Sequence, residues 1–574
     1  MLVLAILAFS TGAALSSVNA LTFNTGTPPS PPWTSYNQLP WSYNQLVTSG
    51  VLTIQGSSTV QPIATEEATQ GNFVNYWNAL VNSNSALGGT SALLSTTASP
   101  NPSITGLGSG TAIPALDGSV ATADVGEMSR PPSDAEWQTG ALNNMQVYAI
   151  GVDSVAIVLS PDMSWFLPYL ATQTYQGQTV KGLTTAQVAE LFAEPSTTSG
   201  FSSTNQGIAT GAAGSPALYS TWLQFFQAQG WTTPTSGTLF TEMSQTIQRV
   251  ARDPTSGTYD CFNNYFAVPN GYQFEFKAVP AGEPAGSATT VQGSQEMAAF
   301  TYEEENSGVQ TQISTGGDSQ IGFISTGYLL TAGTSMIGIP IAFNMASPPS
   351  GSTTSPLIKY YGSSGTYSFV GDSANLPTWG TYVVPNDANV IYAYSGSQGT
   401  YNGVAATGKY EAWRWLWEVT PGPIPASGPT LAAGVWIAYM MADGTTNTGD
   451  VSAVTIPASG APTGIGSGTS NFVADQNYIP LSRDDFTGGV VEDSNLNTYG
   501  SAQGLTSTQT QSFPNGAVGP SDFFYFVDAY INYYANGVYN PYADIYASGV
   551  INGHSFIGFV AAYIAYFTTY YPTA

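Results

Sequence analysis

Residues 51–83 read VLTIQGSSTVQPIATEEATQGNFVNYWNALVNS, and the fold class turns on how this stretch divides. Val51–Gly56 is a short run rich in β-formers. Ser57-Ser58-Thr59 is a hydroxyl-bearing turn, and beyond it the apolar residues take helical spacing, with Val74, Trp77, Leu80 and Val81 on one face. The same grammar returns downstream. VYAIGVDSVAIVLS (147–160) reads as a buried strand, LTTAQVAELFAE (183–194) as a capped amphipathic helix and IGFISTGYLL (321–330) as another strand. Strands alternating with helices argue for α/β layers with parallel sheets. Ser/Thr/Gly-rich patches near 85–103, 199–215 and 455–470 read as surface loops.

At 574 residues the chain has room for two or three domains and a large core. Its 35 acidic residues against 9 Lys+Arg give a net charge of −26, although only 8% of residues are charged. Nucleic acid is excluded as a partner, because binding it requires basic patches. An anion can bind only where local dipoles and a few cations overcome that global field. One Cys (Cys261) and one His (His554) leave no intrachain disulfide, no Cys/His zinc site and little scope for a Ser-His-Asp triad. A catalytic role is disfavoured accordingly, and Cys261 reads as a small buried apolar residue.

The first 23 residues, MLVLAILAFSTGAALSSVNALTF, are apolar and uncharged. Three readings stay open for them: a signal peptide cleaved after Ala20, a retained membrane helix, or an apolar segment used in assembly. Each places the bulk of the chain outside the cytoplasm. Residues 24–46, rich in proline and aromatics, read as an extended tether.

Four short segments share one physical design. Gly56-Ser57-Ser58-Thr59 follows a strand and opens a helix; Gly108-Ser109-Gly110-Thr111 opens AIPAL; Gly126-Glu127-Met128-Ser129-Arg130 follows a strand; Arg252 precedes Ser256-Gly257-Thr258, which opens YDCFNNYF. Glycine lets backbone approach a ligand, hydroxyls donate, and free N–H groups at a helix start attract an anion. Taken singly, each segment reads more readily as an ordinary helix cap. An arginine four residues before a Ser-Gly-Thr, in a chain with so few cations, is what sets the combination apart.

These residues resemble the phosphate-binding proteins of ABC importers. The similarity runs from about Leu52 to Phe486 and includes GSSTVQPI, GLGSGTAIPAL, ADVGEMSRPPSDAEW, IQRVARDPTSGTYDCFNNYF, TVQGSQEM, IGFISTGYL, KYEAWRWLWEVT, GVWIAYM and NYIPLSRDDF in order. The resemblance implies a two-lobed, periplasmic-binding-protein-like (type II) α/β fold, with ligand held between the lobes. Residues 51–150 with 320–486 would form one lobe and 151–319 the other, after an apolar head (1–22) and a linker (23–50). It further implies that phosphate is bound by Ser58 and Thr59 of the first loop, Ser109 and Gly110 of the second, Ser129, and Arg252 with Ser256, Gly257 and Thr258. Ser129 stands where many members have an aspartate that accepts the phosphate proton. Asp253, Asp124 and Glu127 are then the candidate acceptors, and sulfate or arsenate competes with phosphate as the ligand. Arg130 is read two ways, as a second positive charge at the site or as a tie to surface carboxylates. Arg414, inside WRWLW, is read as stacked among tryptophans.

Residues 487–574 are expected to form a separate small all-α module. FVDAYI (526–531) recurs as FVAAYI (559–564), and the segment resembles dockerin-like modules in which paired helices follow calcium loops. Asp522, Gln511, Phe513, Asn515, Asp544, Tyr546, Ser548 and Ser555 would occupy the ligand positions, too few carboxylates for firm calcium binding. No metal and no cofactor is therefore expected. The resemblance implies a non-enzymatic, extracellular or cell-surface receptor that binds inorganic phosphate and delivers it to an ABC permease. The alternative is a structural filament or surface-layer subunit on the same fold, self-associating through the apolar head and the C-terminal module. The acidic, uncharged-polar composition suits exported proteins of acid- and heat-loving archaea.

Overall fold

The computed structural model describes residues 50–69, 72–117, 121–130, 145–175, 178–180, 182–192, 221–253, 256–267, 300–303, 305–317, 319–343, 382–395, 400–401, 404–441, 472–480, 495–497, 511–513, 520–545, 547–553 and 555–560, with single positions at 132, 136 and 219. The apolar head, the tether, the loops at 199–215 and 455–470 and the TVQGSQEM segment lie outside the described residues.

The elements that build the site are, in chain order, β1 (Thr53–Gly56), α1 (Gln61–Thr69), α2 (Phe73–Ser83), β2 (Ser103–Gly106), α3 (Ala112–Leu116), β3 (Val125–Met128), β4 (Gln146–Leu159), α4 (Thr185–Phe192), β5 (Gln248–Arg252), α5 (Gly257–Phe262), β6 (Phe300–Glu303), α6 (Asn306–Thr315), β7 (Gln320–Ser325), α7 (Thr326–Ala332), β8 (Trp413–Thr420), α8 (Leu431–Met441) and α9 (Pro520–Asn536). The sheet runs β2-β1-β3-β8-β4-β7-β5-β6. β1 is parallel to β2 and β3, and β5 is parallel to β7 and β6. Between these parallel halves sit antiparallel pairs. The N-terminal part of β4 lies opposite β8, from Gln146↔Thr420 to Ser154↔Trp413, and its last five residues lie opposite β7, from Val155↔Ser325 to Leu159↔Ile321. One continuous strand thus belongs to both halves of a mixed α/β fold, as the alternating grammar led us to expect. IGFISTGYLL is strand only as far as Ser325, and its second half is α7.

Local chemistry explains the boundaries. α2 buries Phe73, Val74, Tyr76, Trp77, Leu80 and Val81, a stripe at helical spacing. α4 opens with a reciprocal capping box: Thr184 Oγ1 accepts from Gln187 N (3.1 Å) and Gln187 Oε1 accepts from Thr184 N (2.9 Å). β4 is buried along its length after Gln146, which suits a strand covered on both faces. α8 is buried at all 11 positions. Among the described residues, no helix is long and apolar enough to cross a membrane.

The C-terminal segment differs from the separate module expected. Phe526, Tyr533, Tyr539, Tyr542, Ile551 and Phe559 share one core with Trp77 of α2 and Trp436 of α8. Val538–Tyr539 pairs with Ile424–Pro425, Tyr76 donates to the Ala547 carbonyl (2.7 Å) and Tyr542 to the Ala149 carbonyl (3.1 Å). The aromatic faces that suggested self-contained packing are used against the sheet domain. Phe526 and Phe559, equivalent in the sequence repeat, stack with ring centroids 5.4 Å apart.

Candidate anion site

The turn after β1 is shaped by Gly56. With φ at 152°, it brings the chain so close to β3 that a Cβ here would lie 2.0 Å from the Glu127 carbonyl oxygen. Ser57 N donates to that carbonyl (2.8 Å), while the Ser57 carbonyl and hydroxyl accept from Val60, Gln61 and Thr59 backbone N–H groups. Ser57 closes the turn, which leaves the Ser58 and Thr59 side chains to face inward, each no more than 2% exposed. The second loop is tied to the first by Gly108 N donating to the Gly56 carbonyl (2.8 Å). Ser109 Oγ accepts from Ser129 N (2.9 Å) and meets Ser129 Oγ at 3.2 Å. Gly110 lies in the same Ser109–Thr111 turn.

Arg252 joins the halves. Its Nη2 donates to Ser58 Oγ (3.2 Å), its Nη1 to Thr258 Oγ1 (3.2 Å) and its Nε to the Glu303 carbonyl (3.3 Å). Ser256 caps α5, accepting from Tyr259 N (3.0 Å). Gly257 packs flat on Ser129, where an added Cβ would stand 2.4 Å from the Ser129 carbonyl oxygen. Every hydroxyl and the guanidinium of this cluster is buried to 2% exposure or less. Burial first, and then the like charge of Arg414, lower Arg252 to about 10, which leaves it cationic at neutral pH. Eight of the nine residues singled out from the sequence therefore meet within two contacting networks, Ser58–Arg252–Thr258 and Ser109–Ser129–Gly257, with Gly110 in the Ser109 turn and Ser256 capping the Gly257 helix, and the ninth, Thr59, joins the first through Asn306 and Arg414.

Two further residues complete the first network. Asn306, at the start of α6, donates Nδ2 to Thr59 Oγ1 (2.8 Å), and its Oδ1 accepts from Ser325 N (3.3 Å). Arg414 was read as stacked among tryptophans, and the structure corrects this. In β8 the side chains alternate, so Trp413 meets Trp415 and Trp415 meets Trp417 edge to face in one core while Arg414 turns to the other face. There its Nη2 donates to Asp153 Oδ2 (2.7 Å), Thr258 Oγ1 (2.9 Å) and Thr59 Oγ1 (3.3 Å). The period-2 pattern W-R-W-L-W carries that signal; nothing in the sequence around Asn306 does. Asp153 lies directly opposite Arg414 across the β8–β4 pair and also accepts from Ser325 Oγ (2.9 Å). Burial pushes its carboxyl up, against the pull of Arg414 and these hydrogen bonds.

Arg130 resolves to the second of its two readings. It forms a bidentate pair with Glu136 (2.7 and 2.8 Å) and an ion pair with Asp260 (3.2 Å). Of the candidate acceptors, Asp124 accepts from Thr53 N (2.9 Å) at the start of β1, and Glu127 sits with Glu418 and Glu67. Asp253 and Glu305 are the carboxylates whose charge reaches Arg252.

No family model matches the chain, and no curated protein matches it. It is similar to solved structures of an ABC-type phosphate transport receptor from Vibrio cholerae (15% identity over 75% of this chain and 99% of that one, TM-score 0.29), of a phosphate-binding protein from Stenotrophomonas maltophilia (12%, 75% and 91%, TM-score 0.35), and of PstS from Borrelia burgdorferi (13%, 75% and 98%, TM-score 0.29).

Proposed function

We propose that this protein is an exported solute-binding protein that takes up a tetrahedral oxyanion, inorganic phosphate foremost, in the buried cluster around Arg252 and hands it to an ABC permease. The observation that carries the reading is the Arg252 guanidinium, bridging Ser58 and Thr258 from opposite halves of the sheet at 3.2 Å each. A guanidinium buried among hydroxyls offers an incoming anion charge-assisted donors in a low-dielectric setting. Several hydroxyls and one guanidinium converging on a single anion, at about 1.5–3 kcal/mol per charge-assisted bond, supply micromolar affinity or better. Calorimetric titration with phosphate and sulfate of the wild type and of Arg252→Ala tests the reading. Saturable binding lost in the variant supports it. A folded wild type that binds neither anion removes it.

A further inference from the structure

Arg414 holds the second guanidinium of this cluster, and one of its nitrogens is unused. Nε and Nη2 grip Asp153 along one edge of the guanidinium plane, at 3.1 and 2.7 Å. The other proton of Nη2 meets the Thr258 and Thr59 hydroxyls. Nη1 lies on that same outer edge, is fully buried and makes no hydrogen bond among the described residues. A planar guanidinium offers five donors in a fixed fork, so the latch on Asp153 fixes where Nη1 points: away from the carboxylate, alongside the two threonine hydroxyls. Thr258 Oγ1 accepts from both arginines, at 3.2 Å from Arg252 Nη1 and 2.9 Å from Arg414 Nη2. Two like charges on one buried hydroxyl repel unless an anion lies between them.

Resting on the reading of the cluster as an oxyanion site, we propose that Arg414 binds the anion through Nη1 as a second guanidinium, so that the site selects doubly charged tetrahedral anions, hydrogenphosphate and sulfate alike, over singly charged ones. Asp153 is then a positioning residue. It fixes the orientation of Arg414 by holding Nε and Nη2, so that Nη1 is the donor turned to the ligand.

The test is titration of phosphate, sulfate and the singly charged perchlorate at pH 8 into wild type, Arg414→Lys and the charge-neutral pair Arg414→Met/Asp153→Asn, with thermal unfolding of each. Lysine keeps the ion pair with Asp153 but has no rigid second arm. Arg414→Lys should weaken phosphate and sulfate together by about 10- to 100-fold with its unfolding temperature little changed. The neutral pair should bind both dianions weakly and lose at least about tenfold in preference for sulfate over perchlorate. Wild-type dianion affinity in both variants, alongside loss of binding in Arg252→Ala, would remove Arg414 from the ligand while leaving the anion site in place. A wild type that binds no anion would remove both readings.

Discussion

Glu127 and Glu418 lie directly opposite each other across the antiparallel β3–β8 pair, both fully buried, and none of their four carboxyl oxygens finds a hydrogen-bond partner among the described residues. Glu67 of α1, also fully buried with both oxygens unpartnered, feels the charge of both. Burial, and then mutual repulsion, push Glu67 and Glu418 well above the ordinary value of 4.5, and burial does the same to Glu127. The folded protein keeps these three protons after an unfolded chain has released them. Above about pH 4.5 the native state thus binds more protons than the unfolded state, and stability falls as pH rises, by up to about 1.4 kcal/mol per pH unit for each group. Asp124, lifted to about 7 by burial, acts in the same sense. The unfolding temperature should be highest near pH 4 or below and drop by more than about 5 °C by pH 6.5. Glu67→Gln/Glu127→Gln/Glu418→Gln should flatten that slope. A stability that rises from pH 4 to pH 6.5 would contradict the assignment of neutral glutamates.

Gly257 of one half packs closely against the Ser129 backbone of the other. Alanine there would force its Cβ against the Ser129 backbone, which cannot rotate away as a side chain would. Gly257→Ala should cost about 1–3 kcal/mol in urea unfolding and weaken anion binding by more than about tenfold, because Ser129 and Thr258 are displaced together. Unchanged affinity would show that the contact is not part of the closed site.

The α/β alternation and the polar loops were legible because each is local: a period switch, a glycine, a hydroxyl after a strand. Arg252, Ser58 and Thr258 could be grouped from their motifs, and they do touch. Arg414 was misplaced because its flanking tryptophans suggested stacking, when the strand period sends it to the opposite face. Asn306 and Asp153 were missed because they enter the site only through strand order, with Asp153 set by the pairing of β4 with β8. The docking of α9 was hidden for a related reason. Its helical pattern shows an apolar face, but not that α2 and α8, far earlier in the chain, present the matching surface.

Arg130 and Arg252 are both buried arginines beside site loops, and their partners set them apart. With Glu136 and Asp260 already balancing it, Arg130→Ala should change phosphate affinity by less than about threefold and lower stability by about 1–3 kcal/mol. Arg252→Ala should cost more than about 100-fold in affinity. Calorimetry on both variants at one pH compares them directly, and equal losses would return Arg130 to the anion site.

Asp544 sits where the second calcium loop was expected, yet its carboxylate already accepts from Tyr539 Oη (2.7 Å), Ser548 Oγ (3.0 Å) and Gly549 N (2.6 Å). Among the described residues there is no cluster of three metal-ligating side chains, while Asn515 and Tyr546 of the expected loops lie outside them. Its oxygens are committed to the turn that carries Ala547 to Tyr76. Millimolar calcium should therefore leave the unfolding temperature unchanged. Asp544→Ala should lower stability by about 2–4 kcal/mol, because two buried donors, Tyr539 Oη and Gly549 N, and the half-buried Ser548 hydroxyl lose their acceptor. The loss should appear in the single unfolding transition of the whole protein, since this turn packs into the core that holds Trp77 and Trp436. A separate, early C-terminal transition, or a calcium-dependent rise in unfolding temperature, would show instead that the segment folds as a unit of its own.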